Sequence, residues 1–178
     1  MALTQEQASK YLDSELHPFL TTEEVATIAG IKPATLSQWV KRGYVELRGS
    51  IRPGTGRAML FSFSGLIEVL AFTQLSRLGL PLQGSARGLS AKVMLCVGRR
   101  LMEYSGAFED LSDSKLGEFE RFVSAWYDEA RDEVLSSISS IPAPLSFNTI
   151  PHTSWIVIDC YALLDVALSG LDNLKRLL

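Results

Sequence analysis

Nine side chains between Lys32 and Arg57 carry most of the chemistry this sequence offers, and that chemistry suits a polyanion. Six of them, Lys32, Thr35, Ser37, Gln38, Lys41 and Arg42, fall opposite Leu36, Trp39 and Val40, which share one face at i, i+3, i+4 spacing. A helix from Pro33 to Arg42 buries the apolar three and turns amide, hydroxyl and cationic groups outward. Such groups meet the edges of base pairs, and the cations hold phosphate. The other three, Arg48, Arg52 and Arg57, lie in or beside Gly49-Ser50-Ile51-Arg52-Pro53-Gly54-Thr55-Gly56, a stretch of turn residues. Arginine on such a loop suits a phosphate backbone. Taken alone, the helical segment is equally readable as a solvated amphipathic helix.

Positioning these groups falls to the elements on either side. Thr21 and Thr22 precede Glu23-Glu24, so a hydroxyl can accept orphan backbone N–H groups while the carboxylates favour the positive helix end. Val25, Ala26, Ile28 and Ala29 give that first helix an apolar face, Gly30 stops it, and Ile31 plugs the turn. Pro33 suits the first turn of the second helix, which ends at Gly43. Tyr44 to Arg48 and Arg57 to Phe63 have strand-like composition around the glycine-rich loop. Ser64 then caps a helix from Gly65 to about Leu78, with Leu66, Ile67, Leu70, Leu75 and Leu78 facing a core. Two short helices, a tight turn, a basic hairpin and a third helix are the order of a winged helix-turn-helix, whose second helix enters the major groove.

Thr35-Leu36-Ser37-Gln38-Trp39-Val40-Lys41-Arg42-Gly43-Tyr44-Val45 resembles the second helix and exit turn of MerR-like regulators. Arg57 and Phe61-Ser62 resemble the wing arginine and aromatic-serine pair of that family, and Arg77-Leu78-Gly79-Leu80-Pro81-Leu82 resembles the run that ends its module. The resemblance covers roughly a third of the chain and implies a DNA-binding scaffold. Ser37, Gln38 and Val40 stand where the family usually has arginine, an aromatic and glutamate. Base contacts are therefore read from this chain's own residues: Gln38 suits adenine, and Lys41 or Arg42 suits phosphate.

Charge is divided unevenly along the chain. From Leu20 to Arg100 eleven bases face four acids, a net +7, whereas Leu101 to Leu178 carries −8 and Met1 to Phe19 carries −2. The overall pI of about 5.4 thus hides a basic module, and the local field is what attracts a polyanion. The 178 residues suit one compact domain or a small module with a companion domain. No window resembles a membrane span or a secretory leader, so a cytoplasmic protein without membrane contact is expected.

Cys96 and Cys160, with His17 and His152, make no recognisable ligand set, so no metal and no cofactor are expected. Both cysteines sit in apolar runs and read as buried core thiols. No phosphate-binding glycine motif, triad signature or zincin motif occurs, and the chain is not expected to be an enzyme.

Beyond Gly79 a glycine-, proline- and serine-rich stretch reaches Gly88, followed by helical periodicity from Ala91 to Tyr104 and a loop from Ser105 to Asp113. Leu116, Phe119, Val123, Trp126 and Ala130 recur at spacings of three and four, which predicts a long helix from Ser114 to about Ser139. That stripe reads either as an antiparallel dimerisation helix of the MerR-like kind or as the core face of a small helical domain; the aromatics and the fading repeat favour the second. Leu145 to Ile150 and Trp155 to Ile158 read as short strands, and Asp159 as the cap of a last helix from Cys160 to Leu177. Trp126, Trp155 and Tyr161 suit either a core or the lining of a small-molecule pocket. At the N-terminus Thr4 and Gln7 match a capping box for an extra helix, with Ala8, Tyr11 and Leu12 as its apolar edge.

The expected fold is mainly α with small β elements: an N-terminal winged helix-turn-helix and a C-terminal helical or α+β lobe. The expected divisions are an N-terminal helical extension over 1–19, the DNA-binding module over 20–82 and an oligomerisation or sensing domain over 83–178. The expected partners are double-stranded DNA and a second copy of the chain, with an effector or protein partner open at the C-terminal domain. The expected function is sequence-specific transcriptional regulation of bacterial or phage type. Two other readings stay open: an excisionase-like architectural protein, and a protein-interaction adaptor that no longer binds DNA.

Overall fold

Local signals place the first helices. The computed structural model describes residues 4–13, 17–47, 59–77, 86–104, 121–128, 133–139 and 155–174. Helix α1 (Gln5–Asp13) opens on the reciprocal Thr4–Gln7 pair, in which the Gln7 N–H donates to Thr4 Oγ1 at 3.2 Å and the Thr4 N–H to Gln7 Oε1 at 3.0 Å. Strand β1 (Leu20–Thr21) leads into α2 (Thr22–Ala29) and α3 (Pro33–Lys41). Strand β2 (Leu60–Phe61) returns to pair antiparallel with β1, Leu20 opposite Phe61.

Next comes α4 (Phe63–Arg77), which starts two residues before the expected Gly65 because Ser62, not Ser64, is the cap: Ser62 Oγ accepts the Gly65 N–H at 3.1 Å. Every residue of α4 from Phe63 to Thr73 is buried, Glu68 included, so it is the central helix and not one with a single core stripe. It packs against α2, β2, α5 (Ala86–Tyr104) and α6 (Cys160–Asn173). Tyr11 of α1 stacks on Phe63 with ring centroids 4.4 Å apart, which fixes the extra N-terminal helix to this core. Helix α5 begins five residues earlier than its periodicity predicts, and its buried row is Leu89, Val93, Cys96, Val97 and Leu101.

The long helix expected from Ser114 to Ser139 is not formed. Strands β3 (Phe122–Asp128) and β4 (Glu133–Ser139) occupy its second half, and β5 (Trp155–Asp159) completes an antiparallel sheet of order β4-β3-β5. The antiparallel dimerisation helix read there falls with it. In a strand, residues an odd number apart face opposite sides, so Val123 and Trp126, one stripe on a helix, separate. Val123 and Ala125 are fully buried on the side that joins the main core, with Ile158 beside Val123 in register, while Trp126 is half-buried on the other. Phe122, Val123, Trp126 and Tyr127 are strand formers, and two neighbouring strands satisfy the backbone of β3. The strand expected over 145–150 and the loop over 105–113 lie outside the described residues.

One continuous hydrophobic core runs from Tyr11 of α1 through α2, α3, α4 and α5 to the sheet and Leu171 of α6. The strand-to-helix junction at β5 and α6 is capped as the sequence predicts: Asp159 Oδ1 accepts the N–H groups of Tyr161 at 3.0 Å and Ala162 at 3.2 Å. Arg121 Nε also donates to Asp159 Oδ1 at 2.8 Å, and its Nη2 to Oδ2. Burial pushes the Asp159 carboxyl up, but these donors outweigh it and hold it below the usual carboxylate range. A carboxyl that is more acidic folded than unfolded contributes its full stability above its unfolded-state pKa and loses it as pH falls through the folded one. Asp159→Asn keeps a side chain that can cap α6 but loses the charge pair with the exposed Arg121, and is therefore expected to lower stability by less than about 1 kcal/mol at neutral pH. Its melting-temperature deficit should shrink as pH falls to about 3; a deficit constant with pH would mean that the carboxylate charge contributes nothing.

Candidate nucleic-acid interface

Helix α2 is closed at both ends by side-chain and backbone caps. Thr21 is its N-cap: the Glu24 N–H donates to Thr21 Oγ1 at 3.3 Å, and the Thr21 N–H donates back to Glu24 Oε2 at 2.9 Å. At the other end Gly30 takes φ +65°, its N–H bonds the Thr27 carbonyl at 3.2 Å, and the Ile31 N–H bonds the Ala26 carbonyl at 3.0 Å. This Schellman turn needs a left-handed residue at its bend, which glycine supplies without strain. Three residues later Pro33 starts α3. The exit of α3 repeats the device: Gly43 takes φ +71°, its N–H bonds Val40 O at 3.0 Å, and the Tyr44 N–H bonds Trp39 O at 2.9 Å. Both helices are therefore cut to length by glycine, and α3 packs against α2.

Packing decides which side of α3 is outward. Leu36 is fully buried, Trp39 is 6% exposed, and the Trp39 ring meets Phe72 of α4 edge to face at 6.5 Å between centroids. The residues expected to recognise a ligand fall on the other side. Lys32, Gln38, Lys41 and Arg42 are exposed, and Thr35 and Ser37 are half-buried at the flanks. The structure brings all six to one surface. It also adds Ala34, exposed and in line with Gln38 and Lys41 at i, i+4, i+7. That spacing was legible, but a methyl group carries no polar signal; on a groove floor it is the kind of group that meets a thymine methyl.

The hairpin expected from Tyr44–Arg48 and Arg57–Phe63 is corrected in its described part. Tyr44 to Leu47 form no strand, and the returning strand is only Leu60–Phe61, paired with β1. The physical reason is burial: Leu20 and Phe61, opposite each other, are 0% and 1% exposed, and Val45 is drawn into the core directly after the Gly43 turn. Arg48, Arg52 and Arg57 lie outside the described residues.

Other candidate chemistry lies on other elements. Cys96 and Cys160, far apart in sequence, are brought together in the core, and both are buried. Hydrogen bonding to the Cys96 thiol, then burial, pushes the Cys160 thiol well above its ordinary value, which keeps it protonated and a poor nucleophile. Among the described residues no three His, Cys, Asp or Glu side chains converge as a metal site would need, and no helix is long and apolar enough to cross a membrane. An open groove of about 450 Å³ runs between α2 and α6, lined by Thr27, Ile28, Asp165, Val166, Ser169 and Asn173 among others. Tyr161 and Trp126, read as candidate pocket residues, both remain half-buried. The Tyr161 ring lies 4.9 Å from the Arg100 guanidinium and 5.3 Å from that of Arg121.

Comparison with known proteins bears on this surface. No curated protein matches the chain. A protein-family model described as a helix-turn-helix domain matches residues 19–72, the segment that holds β1, α2, α3, β2 and most of α4. The chain thus carries a helix-turn-helix module of the DNA-binding kind, with α3 in the place of its second helix.

Proposed function

We propose that this chain is a cytoplasmic, sequence-specific transcriptional regulator of bacterial or phage type, MerR-like in its N-terminal module, that acts on double-stranded DNA as a homodimer. Helix α3 enters the major groove, with Gln38 reading base edges beside Ala34, Thr35 and Ser37. Lys32, Lys41 and Arg42 hold the flanking phosphates. Arg48, Arg52 and Arg57, between Leu47 and Met59, hold the phosphate backbone in the manner of a wing. The observation that carries this reading is the outward face of α3: polar and cationic groups, with Leu36 and Trp39 locked into the core behind them.

The test is selection of bound duplexes from a randomised library at ~150 mM salt. Enrichment of an inverted repeat is expected, with a log–log salt slope of roughly −0.9 per phosphate contacted. Gln38→Ala should change the enriched sequence, whereas Arg52→Ala should weaken cognate and random duplexes alike. Undiminished binding by Arg52→Ala would reject the wing assignment. Ser37, standing where the family has arginine, favours a second reading as an interaction adaptor; absence of any enrichment and of salt-sensitive retention would select it. Bending of the bound site would select the architectural reading.

A further inference from the structure

We propose that Arg77, carried by the last turn of α4, is a further contact to the DNA backbone, at the phosphate beside the start of α3. This deepens the reading above and rests on it for the partner, while the position of the cation rests on packing alone. A Cβ built at Gly30 would lie 3.1 Å from Arg77 Nη2, so the guanidinium sits against the bend between α2 and α3. Gly30 and Arg77 are both exposed. Lys32, exposed as well, follows two positions after Gly30, and Cα atoms that far apart in sequence lie within about 7 Å of each other. Cations from two different helices are thus set at the end of α3 that leads into the groove.

The donors of Arg77 are uncommitted. Among the described residues this side chain makes no hydrogen bond and no ion pair. A guanidinium carries five N–H groups in a planar fork that fits two oxygens of one phosphate. Its stem leaves a helix that is buried without interruption from Phe63 to Thr73, so the base from which it reaches is fixed. The glycine at position 30 serves this arrangement beyond its φ of +65°, because a side chain there would push the guanidinium off the bend.

Lys41 and Arg42 stand at the other end of α3, about 15 Å from Lys32 along the helix axis. The major groove is about 12 Å wide, so cations at the two ends reach the two strands, and Arg77 joins Lys32 on the first. The start of α3 offers that strand one more donor: Pro33 has no N–H and the Thr35 N–H bonds the Lys32 carbonyl at 2.9 Å, which leaves the N–H of exposed Ala34. Arg77 also has a structural alternative. It lies at the C-terminal ends of both α4 and α2, where a cation favours the helix dipole. The two roles differ in what they move: one acts on salt-dependent binding, the other on stability.

The experiment is fluorescence anisotropy of a labelled random-sequence duplex with the wild-type, Arg77→Gln, Arg77→Lys and Lys32→Gln proteins between ~50 and ~200 mM salt, with thermal melting of all four. A phosphate contact is blind to sequence, so no operator is needed. Arg77→Gln should make the log–log salt slope shallower by about 0.9 and weaken binding roughly fivefold at ~150 mM salt. Its melting temperature should stay within the range of ordinary surface substitutions. Arg77→Lys keeps the charge and should keep the slope. A dipole role would instead lower the melting temperature of Arg77→Gln and leave its slope unchanged, and that result overturns the proposal. So does an Arg77→Lys slope as shallow as that of Arg77→Gln. If the wild type binds with a steep slope that Lys32→Gln alone flattens, the regulator reading stands and the Arg77 contact falls; if the wild type shows no salt-sensitive binding, both fall.

Discussion

Trp39→Ala is expected to cost about 3–5 kcal/mol and to lower the melting temperature by on the order of 10 °C. Trp39 is 6% exposed and braced edge to face on Phe72 of α4, so its removal opens a cavity beneath α3. Its neighbour supplies the contrast. Gln38 is exposed one position away, and Gln38→Ala should leave the melting temperature within the small range of ordinary surface substitutions. Thermal unfolding of the two variants side by side checks the orientation of α3: if Gln38→Ala proved the more destabilising, the helix would present its other face outward.

Gly170→Ala should destabilise by about 1–3 kcal/mol, although the same change in an unremarkable helix interior stabilises by close to 1 kcal/mol. The sign reverses because a Cβ at Gly170 would sit 2.6 Å from Ile28 Cγ2 and 2.8 Å from Ile28 Cγ1. Ile28 belongs to α2, the first helix of the helix-turn-helix, and its β-branched side chain has little rotamer freedom to yield. The last helix of the chain thus supports the DNA-binding module by close backbone approach. In an Ile28→Ala background the alanine at 170 should recover its normal stabilising sign, so a double-mutant cycle by denaturant unfolding should give a large coupling energy. Additive effects, or a Gly170→Ala protein as stable as wild type, would show that α2 and α6 are not in contact there.

The accuracy of the sequence reading tracks how local each signal is. Thr21, Gly30, Pro33 and Gly43 act within five residues of where they stand, and α2 and α3 start and stop on them. The same holds for Thr4 at α1 and Asp159 at α6. Strand β3 obeyed a different rule. Its residues fit a helical stripe and a strand alternation at once, and the choice was made by pairing, with β4 directly after it and with β5, some thirty residues further on, which sets Val123 against Ile158 and Ala125 against Ile156. Nothing within the segment announces that partner. The short returning strand shows the same limit: Leu60–Phe61 was legible as extended, but its pairing with Leu20–Thr21 came from the shared burial of Leu20 and Phe61.

At the candidate site, amphipathicity alone separated Leu36 and Trp39 from Gln38, Lys41 and Arg42, because a helix of known phase has only one apolar side to bury. Ala34 escaped, since a small apolar residue on a polar face announces nothing until its exposure is seen. By itself, then, the sequence determined where α2 and α3 begin and end and which face of α3 is polar, both being properties of neighbouring residues on one helix. Only the tertiary structure decided that α4 is buried all round from Phe63 to Thr73, that Cys96 meets Cys160, and that Gly170 receives Ile28. Those are contacts or exposures between segments distant in the chain, and they are set by how the whole core closes, which no local periodicity encodes.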